Sequence, residues 1–185
     1  MFYRFILERL GENVTIGSCV SIRGARRIAL GNNVVIDDRC VLSAIQDEGR
    51  ISMGNDVFAG CNTIIRTRGR TLTIGTGTRI GSNCIVATDS SLELGNDVLI
   101  GAYAYLCGGG SHDFDRKDVP ILIQGCTKRG GIVVGNGVWI GAHTTVLDGV
   151  SIGEGAIVGA NSMVKEDLPP FSVSYGSPAR VARYR

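Results

Sequence analysis

The chain of 185 residues has a formal net charge of +2, with 44% hydrophobic and 6% aromatic residues, 27 Gly and four Pro. That length sets a single domain, 1–185, as the expectation, and the near-neutral charge makes no general case for nucleic-acid binding. The glycines follow no G-X-Y period, which excludes collagen, and no apolar run approaches the roughly 18 residues of a membrane-spanning helix.

In chain order, the first predicted element is a helical cap over 1–12. Phe2, Phe5, Ile6 and Leu10 recur at helical spacing, with Arg4, Glu8 and Arg9 on other faces. Such a cap hides the first strand edge of a solenoid. An interfacial membrane anchor is the competing reading of aromatics beside arginine, and so short a segment gives it little binding area. MFYRFILERL lacks a signal peptide's cleavage site, so a soluble, cytoplasmic protein without stable membrane insertion is expected.

From 13 to 168 an aliphatic residue returns every six positions. Ile16 and Ile22 open the count; Leu30, Ile36, Leu42, then Met53, Ala59, Ile65, then Ile74, Ile80, Val86, then Leu94, Ile100, Leu106 continue it. The run Val134, Ile140, Val146, Ile152, Val158, Val164 is unbroken. A helix repeats at about 3.6 residues and a strand at 2. A period of six fits one short strand plus one tight turn, repeated, and three hexads close a triangular coil. Coils begin near 16, 30, 53, 74, 94, 134 and 152, mostly on tags such as LGNN, MGND, LGND and VGNG. Their Gly, Asn and Asp suit corners where φ turns positive. The expected fold is all-β: a parallel β-helix of about seven coils, roughly 30 Å tall at about 4.8 Å per coil.

Six cysteines (19, 40, 61, 84, 107 and 126) fall about one per repeat, with no C-x-x-C pair and no histidine spacing for zinc. Cys40 and Cys84 follow the anchors Ile36 and Ile80 by four residues, where a small side chain fills the interior. They read as reduced packing residues. Basic clusters at Arg23, Arg26, Arg27 and at Arg66, Arg68, Arg70 read as solvated faces.

Three places break the count. Residues 43–52 and 66–73 read as corner loops. A long excursion at about 107–131 projects from one edge, and loops of that length are usually functional or disordered. After Val164, Pro169 and Pro170 cannot continue a ladder, so the tail 169–185 is expected to leave the prism. The excursion holds His112, within SHDFD. An imidazole titrates near neutrality and suits a general base; a solvated loop histidine is the bland alternative.

Two stretches carry a family resemblance. The lead Gly108-Gly109-Gly110-Ser111-His112 and the run from Gly131 to Gly141, GIVVGNGVWIG, resemble the hexapeptide-repeat acyltransferases, in particular the maltose, galactoside and Nod-factor O-acetyltransferases. The resemblance covers roughly 50–185. It implies a left-handed β-helix, acetyl-CoA as co-substrate, a homotrimer, and His112 as catalytic base. It places Asn83 beside the reacting thioester and acceptor, and leaves Asp89 as a guess for acceptor binding. Trp139, Ala142 and Ala160 are implied to line the pantetheine arm. The ending Gly176-Ser177-Pro178-Ala179-Arg180-Val181-Ala182-Arg183 resembles G-x-P-x-R-x-x-R, whose arginines meet coenzyme A phosphates. Lys165 stands one position earlier than the family's lysine. His143 reads as an outward packing residue.

With two histidines, the three-histidine zinc site of the γ-class carbonic anhydrases is ruled out, and no metal is expected. No helical domain precedes the coils, which disfavours a serine acetyltransferase. The resulting expectation is O-acetylation of a sugar hydroxyl, in capsule, exopolysaccharide or lipopolysaccharide synthesis. N-acetylation of an amino-sugar nucleotide and a non-catalytic scaffold remain as alternatives.

Overall fold

The computed structural model describes residues 3–46 and 48–185. The described residues form a triangular solenoid with three parallel faces. One coil visits them in turn, as Thr71–Ile74, Arg79–Ile80 and Ile85–Thr88 do. The next coil pairs with it in register, Ile74 with Leu94, Ile80 with Ile100 and Val86 with Leu106. The hexad residues are therefore the inward column of each face. Ile36, Leu42, Ile65, Ile80 and Val86 are fully buried, each such burial stabilising by about 1.5–3 kcal/mol.

The tags build the corner between the first and second faces. Their last residue takes the left-handed conformation, with φ of 55° at Asn33, 58° at Asp56 and 55° at Asp97. The Asn before it hydrogen-bonds the coil below. Asn55 Oδ1 accepts from Asn32 N at 2.9 Å, and Asn136 Oδ1 from Asn96 N at 2.8 Å. Each tag thus satisfies a corner amide that no strand can pair.

The interior cysteines are as expected. Cys40 and Cys84 are buried and free, and their thiols donate to the carbonyls of Gly60 at 3.1 Å and Gly101 at 3.2 Å. Burial pushes both thiols above their ordinary pKa, which keeps them protonated.

Both ends differ from expectation. Met1 and Phe2 lie outside the described residues. The cap helix is only Tyr3–Ile6, and Arg9–Leu10 is already a strand paired with 29–30. The solenoid therefore starts one hexad early, at Leu10. Phe5 is 80% exposed and Leu7 is the buried residue, because one helical turn followed by a strand does not hold a 3.6-residue period. The tail does not leave the prism either. Leu168 bridges to Ile152, and Ser172–Gly176 adds a parallel strand to the second face. Ala179–Tyr184 then folds back antiparallel on it. Pro170 sits at a corner over Gly153, where no ladder hydrogen bond is asked of it.

The corner loops are shorter than expected, since strands run through Val41–Ala44 and Arg50–Met53, and through Ile64–Thr67 and Thr71–Ile74. The excursion begins only after Gly108. It is ordered: Ser111–His112 pairs antiparallel with Cys126–Thr127. Beyond that ribbon, the Gln124 amide bonds the carbonyls of Arg116 at 2.8 Å and Val119 at 3.0 Å.

Candidate functional site

The residues singled out in the sequence gather at two different corners. Asn83, Ala142 and Ala160 belong to the second corner, between the second and third faces. Arg39, Asn62, Asn83, Tyr103, His143 and Asn161 succeed one another there, all with φ between 57° and 62°. Asn83 donates its N–H to the Cys61 carbonyl at 2.9 Å, and its Oδ1 accepts from Asn62 Nδ2 at 3.2 Å. His143 stacks flat on Tyr103, ring centroids 4.8 Å apart.

Ala142 and Ala160 lie over glycines of the preceding coils. A Cβ on Gly101 would stand 2.5 Å from Ala142 N, and one on Gly141 the same distance from Ala160 N. The absence of a side chain at Gly101 and Gly141 is what keeps the corner thin enough to stack.

Trp139 projects from the second face just before this corner, half exposed. It continues an outward row through the registers Leu99–Trp139, Trp139–Ile157 and Ile157–Val173. The row is apolar, and the tail strand places Arg183 directly opposite Val173 at its end. Arg180 and Lys165 differ in kind. Both face the Glu166 carboxylate, at 3.2 Å and 3.5 Å, so part of their charge is already met. These exposed pairs contribute little to stability. Among the described residues the Arg183 guanidinium bonds only a carbonyl, that of Tyr184 at 3.1 Å.

His112 and Asp89 stand at the third corner, between the third and first faces. Within one chain, the third-face strand Ile85–Thr88 separates them from Asn83 by about 13 Å, four residues at about 3.3 Å each. His112 is exposed on the ribbon, directly across from Cys126. The bond from Asp113 N to the Gly125 carbonyl, 3.2 Å, makes that the non-hydrogen-bonded pair, where facing side chains approach most closely. The Thr127 hydroxyl donates to Asp113 Oδ1 at 2.6 Å and braces the ribbon. A Cβ on Gly109 would lie 3.6 Å from the Asp89 carboxylate, so Asp89 flanks the strand that leads to His112. Among the described residues no metal-holding cluster of His, Cys, Asp and Glu occurs.

One residue that anchors the excursion escaped the sequence reading. Asp148, 9% exposed, accepts from Arg129 N at 2.5 Å and Gly131 N at 2.9 Å, tying the returning limb of the excursion to the next coil. The signal was present: Thr67, Thr88 and Asp148 each lie two residues after a hexad anchor, and each side chain holds the third corner. Asp148→Ala removes the acceptor from two N–H groups, and leaving the buried one, on Gly131, unpaired costs about 1–3 kcal/mol. The expected result is a lower denaturant midpoint and faster proteolysis within 109–130, before the coils are cut. Unchanged cleavage there would show that the clasp does not hold the excursion.

Comparison with known proteins agrees with this architecture. Residues 131–166 match the model of the bacterial transferase hexapeptide (six repeats), and 71–107 the hexapeptide repeat of succinyl-transferase. A dTDP-4-amino-4,6-dideoxy-D-glucose acyltransferase of Escherichia coli is 32% identical over 175 residues, covering 94% of this chain and 80% of that enzyme. A Mycobacterium tuberculosis protein named as a probable acetyltransferase is 29% identical over 144 residues; the match takes in 78% of this chain and 47% of the relative, about half its length. The crystal structure of AntD, an N-acyltransferase from Bacillus cereus, in complex with dTDP and 3-hydroxybutyryl-CoA covers all of this chain and 86% of its own, at 25% identity and a TM-score of 0.61. A variant of AntD in complex with dTDP-4-amino-4,6-dideoxyglucose and coenzyme A superposes at a TM-score of 0.63, with 25% identity, over 100% of this chain and 87% of its own.

Proposed function

The chain belongs to the hexapeptide-repeat acyltransferases, and from that premise we propose that it transfers an acyl group from a coenzyme A thioester to the amino group of a nucleotide-linked amino sugar. Of the acceptor chemistries open at the level of sequence, this one replaces O-acetylation of a polysaccharide sugar. The observation that carries it is the similarity, over 94% of the chain, to an acyltransferase named for a dTDP-amino sugar. The likeness to AntD supports the same reading.

In this reading the donor lies along the apolar row of the second face. Trp139 flanks the pantetheine arm, Ala142 and Ala160 leave it room, and Arg183 takes a phosphate at the far end, with Arg180 and Lys165 beside it. A guanidinium fork suits phosphate oxygens. The acceptor approaches from the third corner, by Asp89 and His112. An alkyl ammonium has no lone pair with which to attack a carbonyl, so the acceptor reacts as the free amine, and His112 takes the proton that nitrogen gives up as it bonds to the thioester carbon. Backbone N–H groups of the second corner, with Asn83, receive the oxyanion. The intermediate collapses with loss of the coenzyme A thiolate, which takes its proton from the imidazolium. The products are amide and free thiol.

Donor and acceptor corners stand at opposite ends of one face, so a complete site needs the third corner of one chain against the second corner of another. Rotational symmetry makes this closed ring a trimer in our reading. The excursion's tip supports it: Phe114 is 68% exposed, Leu122 83% and Ile123 67%, an apolar group that a neighbouring chain would cover.

The test is thiol release with acyl-CoA and a matched pair of sugar nucleotides, one bearing an amino group and one a hydroxyl at the same carbon. Turnover is expected with the amine alone, and mass spectrometry should find the amide. Turnover with the hydroxyl partner, or with polysaccharide and neither nucleotide, would return the chain to O-acetylation.

A further inference from the structure

Beneath the ribbon that carries His112 lies an open cavity of about 580 Å³, lined among others by Glu48, Arg68, Arg70, Asp89, Ser91 and Lys128. The sequence reads Arg66, Arg68 and Arg70 as one solvated cluster, and the fold divides it. Arg66 lies on the outer surface of the third face, level with Ala87 and Ser43. Arg68 and Arg70 turn the third corner and reach the cavity. There they meet Lys128, which is distant in sequence and follows directly on the ribbon strand Cys126–Thr127.

The scaffold under these cations is fixed. Arg68 N and Arg70 N donate to the carbonyls of Thr88 and Ser90, both at 2.9 Å. Lys128 Nζ donates to the Asp89 carbonyl at 3.0 Å. Three cations face the two carboxylates of Glu48 and Asp89, an excess of one positive charge (3 − 2). Among the described residues neither guanidinium is in a salt bridge. The Asp89 carboxylate lies against Gly109, on the side of the cavity from which the chain runs to His112.

We infer that this cavity is the subsite for the diphosphate of a nucleoside-diphosphate sugar, an inference that rests on the amino-sugar reading above. Two guanidinium forks and an ammonium match the oxygens of a pyrophosphate. Asp89 then meets the sugar's polar groups between the phosphates and the imidazole, so one chain binds the acceptor and presents it to His112. Coenzyme A also carries a nucleoside diphosphate, and the cavity is assigned to the acceptor's because it adjoins the His112 ribbon rather than the Trp139 row.

Calorimetric titration with thymidine diphosphate, and separately with coenzyme A, tests this on the full chain. The native protein is expected to bind thymidine diphosphate. Arg68→Ala with Arg70→Ala should weaken that affinity about 10–100-fold, as loss of charge-assisted hydrogen bonds does, and leave coenzyme A binding and the circular dichroism unchanged. Arg68→Lys with Arg70→Lys should recover part of the loss. No binding of thymidine diphosphate to the native protein, unchanged binding by the double alanine variant, or a loss confined to coenzyme A overturns the assignment. If the diphosphate binds as expected but no amino-sugar nucleotide is acylated, the subsite stands and the amino-sugar reading falls. If acylation occurs and the double variant leaves the acceptor KM unchanged, the subsite alone falls.

Discussion

Replacing His112 with alanine is expected to lower turnover by about 10²–10⁴-fold, the usual contribution of a positioned general base. The ribbon should survive the change. Its backbone pairing involves Ser111 with Thr127 and His112 with Cys126, and its side-chain brace is Thr127 to Asp113. Neither needs an imidazole, and His112 is exposed, so no cavity is opened. The loss should fall on kcat, with the KM for acyl-CoA little altered, because the donor row lies on another face. The defect should also shrink as pH rises, since hydroxide can take up the proton that the missing imidazole no longer accepts. A variant that releases thiol at the native rate at neutral pH would remove His112 from the reaction.

The second large effect is a recovery. Ala160→Trp should block the donor corner of its own chain and abolish activity as thoroughly as His112→Ala. Ala160 is exposed at its corner, so the bulk goes outward and the coils can still stack. When the two inactive chains are co-expressed, a site that takes its ribbon from one and its corner from the other is intact. Random assortment makes this one site in four across all trimers, so about a quarter of native activity should return in the co-expressed mixture. A mixture as inactive as its components would mean that each chain builds its site alone. That result would contradict the separation of Asn83 from His112 along the third face.

The repeat was legible because its cause is local. A residue such as Ile80 or Val146 is inward by virtue of its place in a six-residue turn, and that place can be counted. The same holds for the tags, whose Asn and Asp side chains answer to corners a few atoms away. The ends were read less well for a matching reason. Leu10 obeys the hexad count, yet in the sequence it also completes a helical spacing with Phe2 and Ile6, and only pairing with Leu30 decides between them. The tail strand Ser172–Gly176 has no hexad to announce it. It forms because Ile157–Val158 offers an unpaired edge, a demand made by the stack and not by the segment.

For the candidate site the division is sharper. The sequence by itself determined the coil, the column of small residues at the second corner, and the one histidine set apart from the repeat, because each depends on spacing within tens of residues. Which of these residues meet was decided only by the tertiary structure. Stacking lines up equivalent positions of successive coils, so it set Asn83 on the same corner as Ala142 and Ala160, placed Arg183 at the end of the Trp139 row, and collected Arg68, Arg70 and Lys128 around one cavity. It also put His112 at the opposite end of a rigid face from Asn83. A strand cannot bend to close that gap, and so the reaction is assigned to the space between chains.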